Sequence, residues 1–101
     1  MALSTTKNVE ILGSPGVARQ LTAGAASSGV AFTAGVFRIS MRAEGANIRF
    51  AIGKGSQTAN ATTSHFIADG ERLDFAINDG DYIAVIRDAS TDGVLEVTEL
   101  S

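Results

Sequence analysis

The sequence predicts an all-β fold: a single-domain antiparallel β-sandwich, jelly-roll-like, with about seven or eight short strands. Apolar and polar residues alternate with a period of two in consecutive segments, and no helical stripe of useful length interrupts them. Acidic residues followed by glycine separate the segments, as in tight turns between strands. The segments recur at a spacing of roughly ten residues, which is typical of sandwiches, jelly rolls and small barrels.

Three weak strand candidates come first, at 9–12, 17–21 and 30–34. Three later segments, 37–42, 47–52 and 72–77, repeat one alternating pattern, and a helix cannot maintain that period. The residues expected to face inward are Phe37, Ile39 and Met41 in the first, Ile48, Phe50 and Ile52 in the second, and Leu73, Phe75 and Ile77 in the third.

The segment Tyr82–Ile86 is apolar on both faces. Such a strand is covered on both sides, either by a central position in the fold or by a neighbouring subunit. A final strand at 94–98 alternates again, and a further short strand is expected to begin at His65.

Turns and loops connect these candidates. Turn pairs occur at Glu44-Gly45, Asp69-Gly70, Asp79-Gly80 and Asp92-Gly93, where glycine accepts a positive φ. Residues 23–29 and 53–64 are rich in small and polar residues and read as loops, the second of them long for a compact domain. Residues 1–7 read as a flexible arm that becomes ordered on a partner, and residues 8–101 as the β domain.

Composition favours self-association. The chain has 101 residues, of which 45% are hydrophobic and 19% charged, and it contains no cysteine and one histidine. A domain of this size has a thin stability margin, and here neither disulfides nor a zinc cluster can support it. Oligomerisation is the remaining route.

Net charge and the lack of targeting signals argue against several other classes of protein. The net charge of −3 argues against nucleic acid as a partner. Residues 1–68 carry six basic and two acidic side chains, whereas residues 69–101 carry two basic and nine acidic ones. Neither a signal peptide nor a membrane-spanning segment is predicted, so synthesis in a cytosol is expected.

No enzymatic, cofactor or metal site is predicted. The stretch Gly53-Lys54-Gly55-Ser56 lacks the glycine spacing of a phosphate loop, and His65 has no nucleophile signature around it. The acidic clusters at 69–71, 78–81 and 88–92 lack the closing carboxylate of a calcium loop and read as hairpin turns.

Four arginines, Arg38, Arg42, Arg49 and Arg72, are predicted on outward strand positions. Two interpretations stay open: simple solvent exposure, or contacts between subunits, with Asp74 or Glu96 as possible carboxylate partners.

From residue 47 onward the sequence resembles small virion proteins of tailed bacteriophages, over about half of the chain. The segments that carry the resemblance are Ile48–Gly53, the loop through Ala59, Thr62 and Thr63, then His65–Glu71, Tyr82–Ile86 and Gly93–Leu100.

The resemblance implies a capsid cement or decoration protein: a β-sandwich or jelly roll, a homotrimer, bound to the major capsid protein on the virion surface after synthesis in the bacterial cytoplasm. The arm with Lys7 and the loop with Lys54 are then candidates for reaching the shell. Tyr82, Ile83, Val85 and the outward arginines are candidates for contacts between copies.

Two alternatives are weighed against this hypothesis. One is a receptor- or glycan-binding module of a head or tail fibre, for which exposed aromatic rings are needed. The other is a tail or head–tail connector subunit, which would assemble as a ring of different symmetry.

Overall fold

A computed structural model describes residues 15–100 of the chain. They form eight antiparallel strands. The strands are β1 (Pro15–Ala23), β2 (Ser28–Ala31), β3 (Arg38–Glu44), β4 (Ile48–Lys54), β5 (His65–Ile67), β6 (Arg72–Ala76), β7 (Asp81–Arg87) and β8 (Gly93–Leu100). The predicted arm at 1–7 and the candidate strand at 9–12 lie outside the described residues.

The strands build two four-stranded sheets, in the orders β1-β8-β3-β6 and β2-β7-β4-β5. The described chain moves from one sheet to the other at every connection except the β4–β5 hairpin. This alternation between two facing sheets is a jelly-roll arrangement. It confirms the predicted all-β sandwich and its strand number.

The core lies between the sheets and consists mainly of the inward residues that the period of two predicts. Ile39, Met41 and Ile48 are fully or almost fully buried, as are Leu95 and Val97 on β8. Burial of this apolar surface supplies the main stabilising free energy.

The inward prediction is wrong for Phe37 and holds only in part for β6. Phe37 is 56% exposed because it precedes β3, at the end of the sandwich. Phe75 is 38% exposed and Leu73 is half-buried, since β6 is the edge strand of its sheet.

The doubly apolar strand β7 is covered within a single chain. It lies centrally between β2 and β4, and Ile83 and Val85 point into the core with no exposed area. Ala84 is also fully buried, yet it lies on the opposite face and outside the core cluster. Of the two predicted explanations for this strand, a central position is therefore the one observed.

The 55–64 loop lies against the outer face of the same sheet. The Gln57 side chain occupies the space beside Gly53, and the Ala59 backbone N–H donates to Ser27 Oγ at 2.8 Å. Ala59 is buried although it is outside the core cluster. The Asn60 side chain accepts the backbone N–H of Thr62 at 2.8 Å, which orders the turn within the loop.

Three of the four predicted turn glycines have the expected backbone. Gly45, Gly70 and Gly80 have φ values of 91°, 82° and 83°. Gly93 differs, because it begins β8 in a place where a Cβ would lie 3.2 Å from both the Ala46 Cβ and the Glu44 carbonyl oxygen. Close packing, not a positive φ, therefore favours glycine at that position.

Candidate assembly surface

The two sheets end side by side at β5 and β6, and the sandwich is open there. A groove of about 300 Å³ lies between these edge strands. Its lining is formed by Phe50, Ile52, His65, Phe66, Leu73, Phe75, Ala76 and Ile77. We call the ring-bearing part of this surface, Phe50, His65, Phe66 and Phe75, the aromatic edge.

Three of the four rings of the aromatic edge are in contact, because Phe50 pairs with His65 and with Phe75 at tilted angles. The Phe50 ring centroid is 5.5 Å from that of His65 and 5.8 Å from that of Phe75, with interplanar angles of 38° and 47°. Such tilted pairs are favourable beyond the area they bury. Phe50 is buried and supports the more exposed rings around it.

Two phenylalanines of the edge remain accessible, and a third lies nearby. Phe66 is 42% exposed and Phe75 38% exposed. The Phe37 carbonyl oxygen accepts the backbone N–H of Ile77 at 2.8 Å, which places Phe37 beside the end of β6. Exposed apolar side chains grouped in this way mark an interaction surface.

Arg49, on β4 of the second sheet, contacts the Phe66 part of the aromatic edge. Its guanidinium lies 4.9 Å from the Phe66 ring centroid, and its Nε donates to Asp88 Oδ1 at 2.8 Å. A further donor group, Nη1, reaches the Ser64 carbonyl oxygen at 3.1 Å. Arg49 therefore serves contacts inside the chain, in addition to its outward position.

The structure brings Arg38, Arg42 and Arg72 together on the outer face of the first sheet. Arg42 lies opposite Glu96 of β8 on one side and opposite Arg72 of β6 on the other. Like charges directly opposite destabilise a strand pair, and the carboxylate of Glu96 offsets part of that cost. Arg72 Nη1 also donates to Ser40 Oγ at 3.1 Å.

Glu96 also faces a second carboxylate on this surface. Its side chain hydrogen-bonds Glu44 and repels the Glu44 charge, and both effects raise the pKa of Glu44 above its usual value. The outer face of the first sheet therefore carries charges of both signs.

A buried carboxylate, Glu99, lies at the end of the sandwich. It is 1% exposed, and its Oε2 accepts Arg19 Nε and the backbone N–H of Thr33, both at 3.0 Å. Its other oxygen, Oε1, has no hydrogen-bond partner among residues 15–100. Burial alone would raise the pKa of Glu99, but the hydrogen bonds from Thr33 and Arg19 and the Arg19 charge outweigh it and lower the pKa.

The sequence reasoning did not single out Glu99. A signal was present, since Leu95, Val97 and Glu99 share one parity on β8 and the first two are core residues. Together, Glu99, Arg19 and Thr33 hold the connection between β2 and β3 against the first sheet.

Two of the predicted contacts between copies are corrected. Ile83 and Val85 have no exposed area, because both belong to the core, so they cannot touch a second copy in this fold. Tyr82 is half-buried, and its ring lies against Gly29, where a Cβ would come within 2.8 Å of the Tyr82 Cε1 atom. Lys54 is exposed at the end of β4, and Lys7 lies outside the described residues.

The acidic turns use their carboxylates to hold the backbone. Asp79 Oδ1 accepts the Gly35 N–H at 2.8 Å, Asp81 Oδ2 the Asn78 N–H at 2.8 Å, and Asp69 Oδ1 the Gly45 N–H at 2.9 Å. Within residues 15–100, no three or more His, Asp or Glu side chains group as ligands for a metal ion. No helix in that range is long and apolar enough to cross a membrane.

Comparison with known proteins gives a likeness of fold. No family model matches the chain, and no curated protein matches it. Among solved structures, the solution NMR structure of a de novo designed double-stranded β-helix is similar, with a TM-score of 0.54 and 16% identity, over 83% of this chain and 99% of that one. The likeness is one of fold alone. It supports the alternation of strands between two sheets described above.

Proposed function

We propose that this chain is a non-enzymatic structural protein of a tailed-bacteriophage particle. In this proposal it is a cement or decoration protein on the capsid surface, which binds the major capsid protein and stabilises the shell. The observation that carries the proposal is the open edge of the sandwich, where Phe37, Phe66 and Phe75 are 56%, 42% and 38% exposed. Apolar groups in such numbers on a small domain favour coverage by another protein.

The sequence resemblance covers β4 and β5 on one side of this edge, along with β7 and β8, but not β6. Ile48–Gly53 covers most of β4, and His65–Glu71 contains β5 and the turn to β6. The resemblance thus includes the residues that bring Phe50, His65 and Phe66 to the groove.

Shell stabilisation by such a protein is additive. An interface of ordinary size buries about 1,600 Å² in total, and its strength depends on a few well-packed anchors, among which aromatic side chains are common. Repetition over a shell multiplies the modest contribution of each copy. Phe66 suits the role of anchor, because Arg49 holds its ring in place before binding.

The proposal is tested on particles purified from the cells that encode the chain. Quantitative mass spectrometry is expected to find the wild-type chain in fixed proportion to the major capsid protein. The double variant Phe66→Ser/Phe75→Ser should be depleted several-fold, provided that circular dichroism shows it folded. Val17→Ser, which removes an exposed apolar side chain (44%) from the opposite edge, is the matched control and should bind as wild type. Absence of the chain from the particles contradicts the proposal.

A second function, a glycan- or receptor-binding module, is favoured by one observation. Phe75 is predicted on an inward position, yet it is exposed together with Phe66 beside a groove of about 300 Å³, and rings in such a place can stack on sugars. A glycan array separates the two functions, since a cement protein gives no specific hits. The connector alternative has no specific support here.

The homotrimer implied by the resemblance stays a prediction. It requires a molar mass of three times 10.4 kDa for the isolated chain in solution.

A further inference from the structure

We infer that the free edge of β6 binds β6 of a second copy of this chain, in an antiparallel register centred on Leu73. The inference deepens the proposed function, because it names one partner of the open edge, and it rests on that edge being an assembly surface.

The backbone groups that point away from the sheet at this edge are those of Arg72, Asp74 and Ala76. The Ala43 N–H donates to the Glu71 carbonyl at 3.1 Å, and the Ile77 N–H donates to the Phe37 carbonyl at 2.8 Å. In an antiparallel pair, hydrogen-bonded positions alternate along each strand. The backbone N–H and C=O groups of the odd-numbered residues of β6 therefore point toward β3. The even-numbered ones have no strand beside them among residues 15–100.

The other three edges of the sandwich are poorer templates. β1 begins with Pro15 and has a register shift between Pro15 and Ala18. β2 has four residues and β5 three. Proline, irregularity and shortness all discourage pairing with another chain. β6 has five residues, with neither proline nor a register shift.

Charge complementarity selects the register. When Leu73 of one copy lies opposite Leu73 of the other, Arg72 faces Asp74 of the second copy, and Asp74 faces its Arg72. Opposite charges on directly paired residues stabilise a strand pair, and like charges destabilise it. A register centred on Asp74 would instead oppose two carboxylates.

The same register covers apolar surface. Leu73 is half-buried and Phe75 is 38% exposed in the single chain, and both face the groove side of β6. Glu71, which would lie opposite Phe75 of the second copy, already has its Oε1 accepting the Ala68 N–H at 2.9 Å. Its carboxylate is therefore turned toward its own chain.

The pairing is isologous and closes a dimer. The first sheet of one copy then continues into the first sheet of the other copy. The molar mass distinguishes it from the trimer that the resemblance implies.

The test is a charge-exchange series on the full chain. Sedimentation equilibrium and light scattering of the wild type are expected to give twice 10.4 kDa at micromolar concentration. Arg72→Asp and Asp74→Arg each place like charges opposite one another and should raise the dimer dissociation constant by about tenfold or more. The double variant Arg72→Asp/Asp74→Arg restores opposite charges and should recover dimerisation.

Gln20→Arg, an added charge on the outer face of the opposite edge strand β1, is the matched control and should dimerise as wild type. Thermal unfolding followed by circular dichroism identifies any variant that fails to fold. A monomeric wild type, a trimer, or single variants that dimerise as well as wild type would overturn the inference. Capsid binding by a wild-type monomer would leave the proposed function standing and remove only this pairing.

Discussion

Glu99 shows how a single residue sets the stability of the end of the sandwich. Its carboxylate is almost fully removed from water and depends on Arg19 and Thr33 for compensation. Removing one partner of a buried ion pair leaves an uncompensated charge, which costs more than the loss of an exposed pair.

The Arg19 side chain is therefore expected to matter more than that of Arg87. Arg19→Ala should lower the free energy of unfolding by about 2–4 kcal/mol, because it leaves Glu99 buried without its cation. Arg87→Ala should cost less than about 1 kcal/mol, since its partner Asp92 is 58% exposed. Urea denaturation at pH 7 measures both, and equal losses would contradict the role assigned to Glu99.

Two carboxylates should shift stability with pH in opposite directions. The pKa of Glu99 is lowered in the folded chain, so its stabilising contribution is present above the unfolded pKa of about 4.3 and is lost as pH falls through the folded value. The pKa of Glu44 is raised by Glu96, so its contribution is present below about 4.3 and is lost as pH rises through the folded value.

Substitution of these two residues should change the acid sensitivity in opposite senses. Between pH 7 and pH 3, the urea midpoint of Glu99→Gln is expected to fall less than that of the wild type, and that of Glu44→Gln to fall more. Parallel curves for all three chains would show that neither group titrates differently on folding.

Among the elements, β2 depends on close contact with β7. A Cβ at Gly29 would overlap the Ile83 carbonyl oxygen and lie 2.9 Å from the Ala84 Cα, both of which are backbone atoms in a central strand. A Cβ at Gly53 would instead meet the Gln57 side chain at 2.9 Å, and that side chain can move.

Alanine at these two glycines therefore gives a matched comparison. Gly29→Ala is expected to destabilise the fold by about 1–3 kcal/mol or more, because β2 must move away from β7. Gly53→Ala should cost less than about 1 kcal/mol. Thermal unfolding compares them, and a Gly29→Ala chain as stable as Gly53→Ala would show that the β2–β7 contact is looser than described.

The strands and most core positions could be predicted because alternation and turn chemistry are local. The period of two assigned Ile39, Met41 and Ile48 correctly. It could not show that Phe37 lies past the end of the sandwich or that Phe75 lies on an edge strand, since parity contains no information about where the opposite sheet ends.

The site was only partly predictable for a related reason. Apolar residues on both faces of β7 fitted a subunit contact as well as a central strand, and only the strand order distinguishes them. Ala84 is fully buried outside the core cluster, and alternation alone does not predict such burial on the outer face of a strand. Three of the predicted arginines do share one face, because Arg38, Arg42 and Arg72 lie on paired strands.

At the scale of the whole molecule, the sandwich has one edge unlike the others. The β1 side has Pro15 and a register shift, whereas the β5–β6 side presents a regularly paired edge strand, β6, and exposed aromatic rings. A small domain with such an edge gains stability and function from what covers it. The proposed assembly role therefore rests on this asymmetry.

A cryo-electron microscopy reconstruction of the particles from cells that encode this chain tests that role most directly. The expected result is a repeated two-sheet density on the shell, with the β5–β6 edge and Phe66 buried against another protein. A reconstruction in which the chain is absent, or in which that edge faces solvent in every copy, would contradict it.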